Sequence, residues 1–440
     1  MRVARLFVPA WFGGFVGCAL TFVSLTLPAQ VIIPNQPEPT TLFGNPWGIR
    51  AEWRIGGEGT WDYLAVDPVA AQLLIAHGPQ VQIVDLHSGE RVTSITGLGE
   101  ARDVVLDPAG AYAFISDAKA GLVRVLDRRT LELVAGIATG PTPRALVYEP
   151  QTQLLFAICA APVVATPETA PPNASSHNAS TQKHTARPPV RSTVTVIDGR
   201  SWKLLGDFQV SGRLGFGQAD TRGNVFMTVE DRRTVIRFDA AVVARQLRRG
   251  APTAAESAAS AAGNQAAGNQ PDPQSAHGTA WDPLMRRFLL PDECTDPAAL
   301  AIDNQHMRLF VACENGHLNV LDSERGSLVA SLPIGLDPGT VLYDAGRQLI
   351  FTANGGGDGS MTIIHQDVND DYAVAQQLIT RPRARTMAEN PSTGRIYLVT
   401  DIYGFDLSGQ YGGQGGIGTL KTSPMPGSFE VVVVGPVGAP

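Results

Sequence analysis

Between residues 47 and 435 the chain alternates short apolar runs with small clusters of Asp, Asn, Gly and Pro. Residues 299–335 show the pattern most clearly. Ala299–Ile302 is apolar and ends at Asp303, Arg308–Ala312 is rich in β-formers, His317–Leu321 ends at Asp322, and Leu328–Pro333 follows a Glu-Arg-Gly turn. Runs of this length between such turn residues predict a four-stranded antiparallel meander. One small sheet leaves its apolar faces uncovered, so the pattern has to recur.

It does recur. Tyr63–Val66 is followed by Asp67-Pro68, Val104–Leu106 by Asp107-Pro108 and Leu146–Tyr148 by Glu149-Pro150, at spacings of 40 and 42 residues. Asp303 to Asp344 spans 41 residues, Asn390-Pro391 marks the seventh copy 46 residues further on, and the fourth copy carries Gln218-Ala219-Asp220 at the same place. A second marker falls inside the units: VQIVD at 81–85, VRVLD at 123–127, VTVID at 194–198, VIRFD at 235–239 and LNVLD at 318–322, with MTIIH at 361–365 in the sixth. This period, with four short strands per unit, predicts propeller blades. The strands are apolar at most positions rather than at every second one, as expected where neighbouring blades cover both faces. The last unit, with Arg385–Glu389, Arg395–Thr400 and Phe429–Val434, lacks a fourth strand, and Ile49–Ile55 ahead of the first unit is free to supply it beside Glu430–Val434. The expectation is an all-β fold over residues 47–435: a seven-bladed β-propeller of four-stranded antiparallel blades, its ring closed by an N-terminal strand that joins the last blade.

Three insertions interrupt the period. Residues 161–190 are rich in Pro, Ala, Ser and Thr, 251–277 contain AAGNQAAGNQ, and 404–424 are Gly-rich. Their composition predicts flexible segments. The first and third fall between the second and third strands of blades 3 and 7, and the second between the third and fourth strands of blade 4. Strand alternation therefore puts two insertions on one face and one on the other. Residues 1–29 read as a signal peptide, with Arg2 and Arg5 ahead of a nearly continuous apolar run, Leu6–Leu27, and Leu-Pro-Ala at 27–29. Retention of that run as a membrane anchor and lipoprotein processing at Cys18 are the alternatives. Residues 30–46, with PNQPEP, read as a linker. A periplasmic or secreted monomer is expected, cleaved near Ala29 and with no membrane span in the mature chain.

Composition narrows the chemistry. The 440 residues are 44% apolar and 17% charged, with a net charge of −7 that becomes −9 when residues 1–29 take away two Arg and no acid. An acidic chain argues against a broad nucleic-acid footprint. The eight His show no HxH or HExxH spacing, so no metal site is expected. Asn354–Gly359 lacks the alternate acids of a calcium loop and reads as a glycine-rich hairpin. The six Trp are scattered, and no cofactor is expected.

Several stretches together resemble the YVTN-type, YncE-like seven-bladed propellers: GTWDYL at 59–64, His77-Gly78, Val229-Glu230-Asp231, Cys294 with Pro297 and LAID at 300–303, LFVAC at 309–313, LPIG at 332–335, ARTM at 384–387 and PGSF at 426–429. The resemblance runs from about Trp53 to Val434, insertions apart. It implies an exported bacterial propeller and supplies no activity. Arg102-Asp103 stands where many relatives have His-Gly, and Leu336-Asp337-Pro338 where Val-Asp is usual.

Polar residues at the starts of inner strands are expected to ring one mouth of the central channel: Asp62, Arg102, Asp103, Arg144, Asp337 and Arg385, with His77 nearby at the end of a second strand. Arginines there offer planar forks to a carboxylate or phosphate, or pair with the aspartates across a wet channel. His77 has no triad partner in the pattern and reads as a turn residue before Gly78. Cys294 lies just ahead of an inner strand and Cys313 ends its antiparallel neighbour, so the two are placed to form a disulfide, with Cys159 left over. The leading expectation is a non-enzymatic exported module that binds a polymer, a protein partner or a small polar ligand through the mouth. A lactonase-like hydrolase or redox-associated propeller, and an envelope structural protein, are the alternatives.

Overall fold

The aspartates that end the repeated third strands close their own turns. In the computed structural model of the chain, Asp85 Oδ1 accepts from the backbone N–H of His87 and Ser88, at 2.9 and 2.7 Å. Asp127, Asp198 and Asp322 repeat this with the residues two and three positions on. The side chain satisfies donors that a tight turn strands. The Ser88 N–H holds the Asp85 carboxyl below its usual range, and the Thr130 N–H does the same for Asp127. The structure describes residues 46–159, 190–250, 279–367, 370–406 and 421–438.

These turns join strands into seven four-stranded antiparallel sheets. The inner strands are Trp61–Asp67, Ala101–Leu106, Pro143–Glu149, Leu214–Ala219, Pro297–Asp303, Pro338–Asp344 and Thr386–Asn390. Each touches the inner strand of the next blade, and blade 7 returns to blade 1, so the sheets close into a ring around a channel. The closure is the expected one. Trp47–Arg54 pairs antiparallel with Glu430–Pro436, Ile49 opposite Val434 and Arg54 opposite Glu430, and completes blade 7.

Blade-to-blade packing repeats one device. Phe114, Phe156, Phe226, Phe310, Phe351 and Tyr397 each occupy the third residue of a second strand, and all are fully buried. Blade 1 has Leu74 there. Phe310, for example, packs in one cluster with Val320 of its own blade and Val341, Ile350 and Ile364 of the next.

Cys294 and Cys313 are joined, with Cα atoms 5.4 Å apart, and tie the entry of blade 5 to the end of its second strand. Cys159 is a buried free thiol that burial pushes up to about 11.

Two features differ from the sequence expectation. The Asp that ends the third strand of blade 4, Asp239, accepts from Val242 N at 2.9 Å and caps a ten-residue helix, Ala240–Arg249. An N-cap and a turn use the same Asp geometry, so the marker alone does not separate them. The expected insertion 404–424 begins and ends in a two-stranded ribbon, Tyr403–Asp406 with Lys421–Pro424. Residues 407–420, all but one residue of 161–190, and all of 251–277 lie outside the described residues, as do 1–45. Among the described residues no helix is long and apolar enough to cross a membrane.

Candidate functional site

The starts of the inner strands share an irregularity that the site depends on. In blades 1 to 6 the pairing with the second strand shifts near the first residue: between Trp61 and Leu64, Ala101 and Asp103, Pro143 and Ala145, Leu214 and Gly217, Pro297 and Ala299, and Pro338 and Thr340. A bulge leaves its extra residue outside the ladder. The residues so released include Asp62, Arg102 and Arg144 in the first three blades, followed by Gly215, Ala298 and Gly339. Arg385 stands at the matching place, just before Thr386.

Asp62, Arg102, Arg144, Asp337 and Arg385 line one cavity of about 550 Å³ at this end of the channel. Five of the seven residues expected at the mouth are therefore brought together, from blades 1, 2, 3, 6 and 7. Asp337 arrives by a different route. It precedes Pro338 with φ 54° and reaches across the blade boundary to Arg385. Gly339 makes room for that approach, because a Cβ there would come within 2.6 Å of the Arg385 carbonyl oxygen.

The charges are partly paired. Arg102 lies 3.4 Å from Asp62 and 2.7 Å from Glu100. Arg385 Nη1 lies 2.5 Å from Asp337 Oδ1. Arg144 has no ion pair and no side-chain hydrogen bond among the described residues, although its charge acts on Asp62 and Glu230. Burial pushes the Asp62 carboxyl above its usual range, against the pull of Arg102, Arg144 and Arg385. Arg383 adds a fourth guanidinium to the lining. Four Arg against Asp62 and Asp337 make the lining cationic on a chain of net charge −7.

Two expected mouth residues lie elsewhere. Asp103 follows Arg102 directly but is back in the ladder, opposite Ser116. Its carboxylate turns inward and accepts from Val104 N and Leu146 N, both at 2.8 Å. It lines a second channel cavity of about 570 Å³, with Tyr63, Phe216 and Glu389. Burial pushes Asp103 up to about 7, and the Asp62 charge adds to the rise. His77 is fully buried, its ring centroid 4.0 Å from that of Phe429. Burial lowers its pKa. It packs beneath the Gly57 backbone, where a Cβ would come within 2.9 Å of the ring.

Sequence reasoning missed Trp61, Arg383 and Tyr403. Arg383 N–H bonds back to Gly355 O, and Arg383 adopts φ 62°, which aims its side chain over the ribbon. Its guanidinium carbon lies 4.1 Å from the Tyr403 ring centroid. The Trp61 ring sits 6.3 Å from Tyr403 and 5.7 Å from buried Phe429. A signal for Trp61 was available, since it lies beside Asp62 at the start of an inner strand. Tyr403 had none, because it sits in an insertion outside the repeat. Among the described residues no group of three or more His, Cys, Asp or Glu is placed to hold a metal ion.

No protein-family profile matches the chain, and no curated protein matches it. Solved structures share its fold. A chain of the mitotic checkpoint complex superposes with a TM-score of 0.56 at 10% identity, covering 87% of this chain and 96% of that one. The WD40 repeats of RRP9 give 0.57 at 9% identity, over 88% and 97%. U3-55K gives 0.55 at 9% identity, over 88% and 98%. At these identities the likeness is one of fold alone.

Proposed function

We propose that the protein is an exported, YVTN-type propeller that binds a small anionic ligand at its mouth and performs no chemistry on it. The observation that carries this reading is Arg144. Its guanidinium lines a cavity of about 550 Å³ with no ion partner among the described residues, whereas Arg102 and Arg385 in the same lining each have one. A guanidinium without a carboxylate in a half-enclosed pocket is an anion subsite waiting for a planar acceptor. The cavity volume falls in the range of small-molecule sites. Export rests on the basic-apolar-small pattern of residues 1–29, and membership of the family on the motif resemblance.

The test is a thermal-shift screen of the purified chain against organic acids, acidic sugars and phosphates, because a ligand that binds only the native state raises the melting point. At least one anion is expected to stabilise, and Arg144→Ala is expected to abolish the shift with the apo melting point unchanged. A screen in which no anion stabilises the protein overturns the reading. Fractionation of cells expressing the full chain tests export: residues 30 onward should appear outside the cytoplasm, with a new N-terminus near Gln30. A second reading, protein docking on the same face, takes support from the fold neighbour that belongs to a checkpoint complex, and crosslinking in cells would reveal the partner.

A further inference from the structure

We infer that the mouth takes a carboxylate-bearing sugar ring, the end of an acidic saccharide of the uronic-acid type, laid against a wall made by Trp61, Arg383 and Tyr403. This rests on the anion-binding reading above and adds the body of the ligand to its charge.

The wall is built by an element that the propeller repeat does not contain. The ribbon Tyr403–Asp406 with Lys421–Pro424 stands outside the blade sheets and contributes Tyr403 and Pro424 to the cavity lining. The Arg383 guanidinium stacks on Tyr403 at 4.1 Å, which holds both groups flat. Trp61 adds a second ring at 6.3 Å, tilted 57° to Tyr403, with buried Phe429 5.7 Å from it. One side of the cavity is thus lined by two aromatic rings set at an angle. Asp62, Arg102 and Arg144 converge from blades 1, 2 and 3 as hydrogen-bonding groups.

Each candidate ligand can be weighed against that pairing. An inorganic anion uses the guanidiniums and leaves the aromatic wall idle. An apolar ring uses the wall and strands the charges. A densely charged polyanion is repelled by Asp62 and Asp337, which sit among the arginines. A pyranose that carries one carboxylate meets all three. Its C–H face packs on the aromatic rings, its edge hydroxyls donate to Asp62, and its carboxylate takes the Arg144 fork.

Four probes separate ring from charge: glucuronate and galacturonate carry both, gluconate carries the charge on an open chain, and glucose carries the ring alone. Calorimetric titration of the full chain should show both uronates binding about tenfold more tightly than gluconate, with glucose undetected. Tyr403→Ala should bring glucuronate down to the gluconate affinity and leave gluconate unchanged, whereas Arg144→Ala should weaken both acids. Saturation-transfer NMR on the unmodified protein covers the case in which Tyr403→Ala unfolds. The ring C–H protons of glucuronate are expected to receive saturation. Equal affinities for glucuronate and gluconate, or bound glucuronate without transfer to its ring protons, overturn the inference and leave the anion reading standing. Failure of every acid to bind removes both, and glucose binding as tight as glucuronate removes the carboxylate from the inference.

Discussion

The guanidinium of Arg385 and the carboxylate of Asp337 meet at 2.5 Å across the boundary between blades 7 and 6, with side chains 43% and 41% exposed. At that exposure the pair contributes no more than about 1 kcal/mol to folding. Its larger effect is on the mouth, where it neutralises one of the arginines. Asp337→Asn is expected to leave the folding free energy within about 0.5 kcal/mol of the parent and to tighten the binding of glucuronate, with a steeper salt dependence. Weaker binding in this variant would mean that Asp337 is a direct ligand contact rather than a competitor.

Ring closure gives a sharper effect. Removing residues 47–56 strips the strand that covers Val431–Val434, four fully buried valines in a strand that would become an edge. The truncated chain should aggregate or lose most of its melting temperature in a scan. A monomeric variant with unchanged stability would be incompatible with the pairing of Ile49 with Val434. Deleting 251–277 serves as the control, since loop length costs entropy only slowly.

The Cys294–Cys313 bridge joins residues 19 apart in the chain and contributes roughly 3 kcal/mol by loop-closure entropy. Dithiothreitol should therefore lower the melting point. Mass spectrometry of unreduced protein should recover these two cysteines as one crosslinked peptide, and Cys159 should alkylate only after unfolding. Labelling of Cys294 in the native, unreduced chain would contradict the pairing.

Phe310→Ala should cost about 3–5 kcal/mol, the usual penalty for emptying a buried aromatic site. Phe310→Leu should cost about 1.5 kcal/mol or less, because blade 1 already carries Leu74 at the matching place. Chemical denaturation of both variants measures the difference. Similar losses for Ala and Leu would show that the site demands an aromatic shape.

Asp103 makes stability depend on pH in a defined direction. Its folded pKa is raised to about 7, above the unfolded value of about 3.9. The folded chain thus holds a proton that the unfolded chain has released. The stabilisation is fully present below the unfolded pKa and is lost as pH rises through about 7. Asp103→Asn keeps an acceptor and removes the titration. The melting point of the variant relative to the parent should rise between pH 5 and pH 8. A difference that stays constant over that window would mean that Asp103 is ionised throughout.

The blades were legible because their signals are local and repeated. Asp85, Asp127, Asp198 and Asp322 end strands by the same side-chain turn, and the period follows from them. The convergence of Asp62, Arg102, Arg144 and Arg385 was legible for a related reason, since matching places in a cyclic repeat face one axis. What failed was side-chain direction. Placing Arg102 and Asp103 at one mouth ignored the bulge that separates them, and placing His77 there ignored its packing against Phe429, which is 352 residues away in the chain. Tyr403 was hidden because it belongs to an insertion, and Arg383 because it sits two residues ahead of the strand-start place, at a left-handed position that Thr142, Asp296 and Asp337 also occupy.

The bulges at the strand starts have a bearing on how such proteins diversify. A residue outside the ladder can be exchanged without rewriting the hydrogen bonds beneath it, so the rim behaves as a short spelling. In blade order this chain writes Asp62, Arg102, Arg144, Gly215, Ala298, Gly339 and Arg385. Substitution at Asp62, Arg102, Arg144 and Arg385 changes what the mouth selects while the ring that carries it stays the same, whereas a Cβ at Gly339 would meet the Arg385 backbone. Descendants of one propeller can therefore part in specificity by a few such letters, long before their cores differ.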